Sequence, residues 1–435
     1  MNRRSLLIMM MMLLLVFTLP GLGWAAEETA IDTGDTTFVL LSSALVLLMT
    51  PGLALFYAGM VRSKNSLGTL MQSMVCMGLI SVQWVLFGYS LSFGPDFNHI
   101  IGNLDWIGLK GVGVDAAPLA GTIPHQAFML FQLTFAIITP ALISGAIAER
   151  MRFPAYVLFI LLWATFIYNP VAHWVWGGGW IGAMGALDFA GGTVVHISSG
   201  VSALVAALVL GKRKGYGSEP MPPHHLPFTV LGAALLWFGW FGFNGGSALA
   251  AGGLATIAYV TTNTAAAAAA LSWVLVEWMQ HGKPTVLGFV SGAVAGLVAI
   301  TPAAGFVTPL AALFIGLVGG VVCYLAVSQL KAKLGYDDSL DVFGIHGVGG
   351  TWGAIATGIF ACSDVNPLGN GLLYGNPSQL VTQLIAVGAT YALAIVGTFV
   401  ILKVIGLFCK LRASDIEEET GLDITQHGEQ AYIGM

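Results

Sequence analysis

Two stretches decide how this chain is built: Asp188-Phe-Ala-Gly-Gly-Thr-Val-Val-His196-Ile-Ser-Ser-Gly200 and Asp338-Ser-Leu-Asp-Val-Phe-Gly-Ile-His346-Gly-Val-Gly-Gly350. In each, a histidine follows an aspartate by eight residues and is itself followed by small residues. The runs that hold them, 188–210 and 343–361, are otherwise apolar and long enough to cross a bilayer. An ionisable side chain in lipid is costly and marks a working site more often than a packing accident. One such histidine could be a core residue bonded to backbone, but two in matching settings call for a common explanation. With a rise of about 1.5 Å per residue, each histidine lies about 12 Å along its helix from its aspartate. Entered from opposite faces of a ~30 Å core, the two rings come within roughly 6–10 Å axially, near the midplane. As uncharged rings they would form a chain of donors and acceptors.

Outward from these runs the chain is a succession of spans. Hydrophobic residues make up 57% and charged residues 9%, against about 45–50% and 25% in soluble domains. Sixteen Lys and Arg face 21 Asp and Glu, so no basic surface exists for nucleic acid. Apolar stretches are read at 38–59, 69–92, 125–147, 154–169, 188–210, 226–247, 253–277, 284–301, 305–329, 343–361 and 378–407, eleven in all. The histidines fall on the fifth and tenth, which cross in opposite directions. Five spans repeated in inverted orientation (38–210 and 226–361), followed by a last helix (378–407), is the architecture of an inverted-repeat transporter. The expected fold is therefore an all-α polytopic membrane protein.

Charge sets the orientation. Thirteen Lys and Arg, among them Arg62, Lys64, Arg150, Lys212 and Arg213, fall in one set of connections or the tail, and Lys110 alone in the other. The positive-inside rule then places the mature N-terminus outside and the C-terminus in the cytoplasm. At the start, Arg3 and Arg4 precede an apolar run from Leu6 to Leu19 and small residues at Ala25 and Ala26. This reads as a cleaved signal peptide over 1–26, the alternative being a retained first helix. Residues 27–410 form the membrane domain; 411–435 form a cytoplasmic tail, polar and acidic from Ser414, read as a solvated or partner-contacting segment. His173 reads as a loop residue near the outer mouth, and His224 and His225 as surface residues. The four cysteines are scattered, and no carboxylate or thiol accompanies the histidines in the spans, so neither a metal nor another cofactor is expected. No nucleophile, base and metal set for an enzyme is present.

Asp188 through His196, continuing to Gly211-Lys212-Arg213, resembles the signature of the ammonium transporter (Amt/Mep/Rh) family, and Asp341 through Gly350 its second histidine motif. Phe131-Gln-Leu-Thr-Phe135, Val175-Trp176-Gly-Gly-Gly179 and Trp240-Phe-Gly-Phe243-Asn-Gly-Gly-Ser247 match in order, so the likeness runs from about residue 35 to the tail and looks closest to the bacterial Amt branch. The resemblance implies an outer recruitment site for ammonium at Trp176, Phe135 and Ser247, a gate at Phe135 and Phe243, and a pore at His196 and His346. Asp188, Phe131 and Trp240 would support the vestibule, with Asp188 capping the fifth helix. It further implies a homotrimer in the bacterial inner membrane with a pore through each subunit and a PII-type regulatory protein at the cytoplasmic face, and leaves methylammonium and carbon dioxide open beside ammonium as the substrate. Transport of ammonia after deprotonation, with net charge movement, is the expected activity; an ammonium sensor signalling through the tail and a passive gas channel are the alternatives.

Overall fold

The computed structural model describes residues 31–432, so the signal peptide expected over 1–26 lies outside the described residues. In lipid, backbone N–H and C=O groups must be satisfied within the segment, and the chain answers with helices. Among the described residues, nine helices are long and apolar enough to cross a membrane. They are α1 (Thr33–Met60), α2 (Ser63–Phe93), α3 (His125–Ile147), α4 (Phe153–Ala183), α5 (Gly192–Leu210), α6 (Leu226–Gly245), α7 (Gly253–His281), α9 (Pro309–Leu334) and α11 (Pro377–Phe408). Two shorter helices lie between them: the apolar α8 (Val286–Ile300), and α10, a π-helical turn at Phe343–Gly347 running into Val348–Phe360. All fall on the stretches read from the sequence.

Local chemistry sets the boundaries. The Asp32 carboxylate accepts from Asp35 N at 2.8 Å to start α1. Thr308, followed by Pro309 in the first turn, caps α9. Gly282, with φ +75°, ends α7 in the left-handed region that suits glycine. The connection 94–124 holds two short hairpins, pairing Asp96–Phe97 with Ile101–Gly102 and Ala116–Ala117 with Ala120–Pro124.

Packing relies on close backbone approach, as expected where lipid supplies no hydrophobic drive between helices. α1 lies along α6, and α7 against α8 and α9. Where α5 crosses α10, a Cβ on Gly200 would come within 2.2 Å of Gly347 N. That contact brings the two histidine-bearing turns together.

The charged end of the bundle is held by buried ions. Glu149 takes Arg62 at 3.0 Å and Arg213 at 2.9 Å, and Arg213 also holds Asp337 at 2.8 Å. Burial alone would raise the Glu149 carboxyl, but the Arg62 hydrogen bonds and the charges of both arginines outweigh it and hold the group below its usual range. The tail, read as a solvated or partner-contacting segment, instead folds back onto this end. Asp423 accepts from Leu67 N (3.0 Å) and Gly68 N (2.7 Å), capping the start of α2 from across the chain. Leu422 N donates to Asn65 Oδ1 at 2.8 Å, and Arg412 pairs with Glu418 at 2.6 Å. Glu418 and Asp423 are each 2% exposed. Glu419 in the acidic run stays exposed, while Glu418 is taken up by Arg412 and Lys214 N.

Candidate functional site

The site is assembled from the beginning of α5. The Asp188 carboxylate accepts from the backbone N–H groups of Gly191 (2.8 Å), Gly192 (2.6 Å) and Thr193 (2.8 Å), and from the Thr193 hydroxyl. These donors are the ones a helix start leaves without partners. Gly191, at φ +115°, makes the turn that brings them round. The Asp188 carbonyl accepts from Trp176 Nε1 at 2.9 Å, so the cap also fixes that indole.

Above α5 the aromatic side chains form a mouth. Phe135 of α3 lies 5.9 Å from Trp176 edge-to-face and 4.3 Å from Phe243 of α6, with Phe131 packed edge-on behind it at 5.0 Å. A cavity of about 270 Å³ opens on this cluster, lined among others by Phe128, Gln132, Phe135, Trp176, Phe189 and Ser247. The Ser247 hydroxyl donates to Phe243 O at 2.8 Å, which leaves its lone pairs free to accept. Among the described residues, no carboxylate lines the cavity. The lining offers a cation ring faces and neutral oxygens, a cation–π contact being worth about 0.5–2 kcal/mol in general.

Below the phenylalanine pair the imidazoles begin. His196 stacks 6.1 Å from Phe243 and 5.5 Å from Trp240, both at 22°. Trp240 is held by donation from Nε1 to Thr301 Oγ1 at 2.9 Å. His346 stacks on His196 at 5.3 Å, with the two Nδ1 atoms 3.2 Å apart. A bond between two imidazole nitrogens needs one donor and one acceptor. The outer nitrogens then differ as well, one ring offering Nε2–H and the other a bare Nε2. Both rings line a narrow cavity whose other walls are apolar or aromatic, including Met49, Tyr57, Ile138 and Leu142. His196 Nε2 has no protein partner there. Among the described residues, no three His, Cys, Asp or Glu side chains cluster as metal ligands.

The structure thus brings Trp176, Phe135, Phe243, Trp240, His196 and His346 into one line, with Ser247 at its head and Asp188 and Phe131 supporting the wall. Gln132 was not singled out from the sequence. It lines the mouth, and its Oε1 is buried without a partner. It lies inside the quoted Phe131–Phe135 segment, but a single glutamine carries no spacing signal. His173 departs from the loop reading: it is in the Asn169–Val175 part of α4 and wholly buried, between Ser92 O (3.0 Å) and the Asp96 carboxylate (2.8 Å). His224 and His225 depart from the surface reading in part. His224 bonds Val61 O and Tyr432, and His225 caps α6.

Residues 37–432 match the model of the Ammonium Transporter Family. The chain belongs to that family. It is 61% identical over 401 residues to an ammonium transporter of Bacillus subtilis, covering 92% of this chain and 98% of the relative. It is 51% identical over 401 residues to ammonium transporter Amt1 of Archaeoglobus fulgidus, covering 92% and 99%. Among solved structures, Saccharomyces cerevisiae Mep2 superposes with a TM-score of 0.85 at 39% identity, covering 93% of this chain and 92% of that one. A structure described as a sensor Amt protein superposes with a TM-score of 0.84 at 28% identity, covering 91% and 98%. The transporter is a membrane transport protein, not an enzyme.

Proposed function

We propose that the transporter captures ammonium at Trp176, Phe135 and Ser247, strips its proton near Phe135 and Phe243, and passes ammonia beside His196 and His346. The observation that carries this reading is the unbroken line from the aromatic mouth to the imidazole pair, with no fixed charge along it. An intact cation in such a lining costs between about 3 and 15 kcal/mol. Potassium meets the same cost and cannot shed a proton, so obligatory deprotonation selects ammonium by chemistry instead of by a filter of carbonyls or carboxylates. The hydrogen-bonded imidazoles supply a path for the proton, which makes the overall movement electrogenic. Methylammonium, with one N–H replaced by a methyl group, fits the same scheme.

In this reading eleven spans cross the bacterial inner membrane, the aromatic mouth faces outward and the charged end faces the cytoplasm, in line with the distribution of Lys and Arg. The signal peptide is removed, three copies assemble with one pore each, and a PII-type regulator docks at the cytoplasmic face. The decisive experiment is the transient current of proteoliposomes after an ammonium jump, with potassium as control. The reading requires a current for ammonium, none for potassium, and its alteration by His196→Ala and His346→Ala. Alkalinisation without current would instead make the protein a passive ammonia channel. Sensing through the tail is the second reading, favoured by the tail's docking on α2; binding without either flux would establish it.

A further inference from the structure

Three aspartates, Asp337, Asp338 and Asp341, lie in the connection leading into α10. Two of them are paired, Asp337 with Arg213 at 2.8 Å and Asp341 with Lys331 at 2.6 Å. Asp338 is not, although it is wholly buried. Its Oδ2 accepts from Phe343 N at 2.7 Å, while Oδ1 has no partner. The neighbouring Arg150 does not fill the gap. Its guanidinium donates to Asp337 O at 2.5 Å and Ser339 Oγ at 2.6 Å, on either side of Asp338. Asp188, at the equivalent place before the other histidine, has both oxygens fully engaged by the turn it caps. Of these two matching carboxyls, one is tied down and the other keeps a free oxygen.

A buried carboxylate oxygen without a donor is expensive, and the usual remedy is a proton. The groups that face it are Lys331, Asp341, Arg150, Tyr336 and Tyr57. Burial pushes the carboxyl up, Lys331 pulls it down and Asp341 pushes it up again, leaving it at about 6, within reach of cytoplasmic pH. Asp338 sits behind the wall of the inner cavity: Tyr57, Leu340, Ile345 and His346 line that cavity, and Asp338 does not reach it directly. The Phe343 N–H bonds to Oδ2, so Oδ1 can gain and lose a proton without breaking that contact.

We propose that Asp338 is the group at which ammonia and its proton rejoin at the inner end of the pore. This rests on the electrogenic reading above. The proton passed along the imidazoles converts the carboxylate to the carboxylic acid at Oδ1. The ammonia lone pair then takes that proton: the O–H bond breaks, an N–H bond forms, and carboxylate and ammonium separate. The cycle returns Asp338 to its starting state and moves one positive charge with each nitrogen.

The test is Asp338→Asn in proteoliposomes, with two fluxes read on one preparation. Asparagine keeps an acceptor for Phe343 N but carries no exchangeable acid. The ammonium-driven current should fall at least tenfold, while alkalinisation driven by an ammonia gradient stays within twofold and the unfolding temperature is not lowered. Asp338→Glu should keep a current whose midpoint in inner-side pH is displaced from that of the wild type. A wild-type current in Asp338→Asn overturns the assignment, and so does a parallel fall of both fluxes, which would mark a structural role. Where the asparagine variant does not insert, the glutamate variant decides, and an unchanged pH midpoint overturns the proposal. A wild type with no ammonium current overturns the electrogenic reading itself, and the assignment with it.

Discussion

Gly200→Ala is the sharpest perturbation of the imidazole pair that leaves both histidines in place. The added Cβ would lie 2.2 Å from Gly347 N, 2.6 Å from Gly347 Cα and 2.8 Å from His346 C. Ordinary van der Waals contact begins near 3.4 Å. All three atoms are backbone, so no rotamer change relieves the clash, and α5 and α10 must part by about 1 Å. Overpacking of this kind costs about 1–3 kcal/mol. The larger consequence is local, because the segment displaced is the one carrying His346. An Nδ1 separation of 3.2 Å opened by about 1 Å is no longer a hydrogen bond. Ammonium-driven current per inserted protein should therefore fall by at least tenfold, with a modest drop in the unfolding temperature. Gly388→Ala on α11 is the control, since a Cβ there meets nothing within 4 Å. A Gly200→Ala protein with wild-type current and unchanged thermal stability would refute the claim that helix contact sets the imidazole geometry.

Other expectations follow from the same contacts. Asp188→Ala strips three backbone donors of their acceptor; at about 1–3 kcal/mol for each buried orphan, stability should drop by roughly 3 kcal/mol or more, with Asp188→Asn intermediate in thermal melts. Glu149→Gln leaves Arg62 and Arg213 without their shared carboxylate, a loss of about 3–5 kcal/mol for a broken buried pair. The Glu149 carboxyl is held below its usual range, so its contribution is complete above the unfolded value near 4.3 and disappears as pH falls through the lower folded value. Melting curves between pH 7 and about pH 3 should accordingly flatten on the acid side in the glutamine variant. Asp423→Ala removes the acceptor for Leu67 N and Gly68 N and should speed proteolytic cleavage between 413 and 432; an unchanged cleavage rate would mean that the other tail contacts suffice.

The elements that were legible in the sequence are those that depend on long apolar runs or on repeated spacing. His196 and His346 stood out because an ionisable side chain in a span contradicts its surroundings, and their aspartates stood out because they recur at the same distance. Axial arithmetic brought the rings within reach of each other but could not supply the stacking. That depends on π-helical turns at Gly192–Ile197 and Phe343–Gly347, and a third at Phe241–Gly245 that aims Phe243. Such turns insert one extra residue into spans that are apolar on every side, so periodicity does not reveal them. Asp188 and Asp338 looked equivalent on the page; only the donors around them, set by how each turn folds, separate a pinned cap from a free acid. His173 read as a loop residue because its partners, Ser92 and Asp96, come from α2 and the hairpin after it, about 80 residues earlier. Gln132 and the docked tail were missed for the same reason: their role depends on what faces them, not on their neighbours in the chain.

The central claim is that ammonium crosses as ammonia plus a proton, and the ratio of charge to nitrogen tests it most directly. Proteoliposomes held at a fixed potential would be given labelled methylammonium, with current and uptake recorded together and potassium as the competing ion. The account predicts one positive charge per nitrogen and no potassium current at any potential. Potassium current through the same protein, or labelled uptake with no accompanying charge, would contradict it.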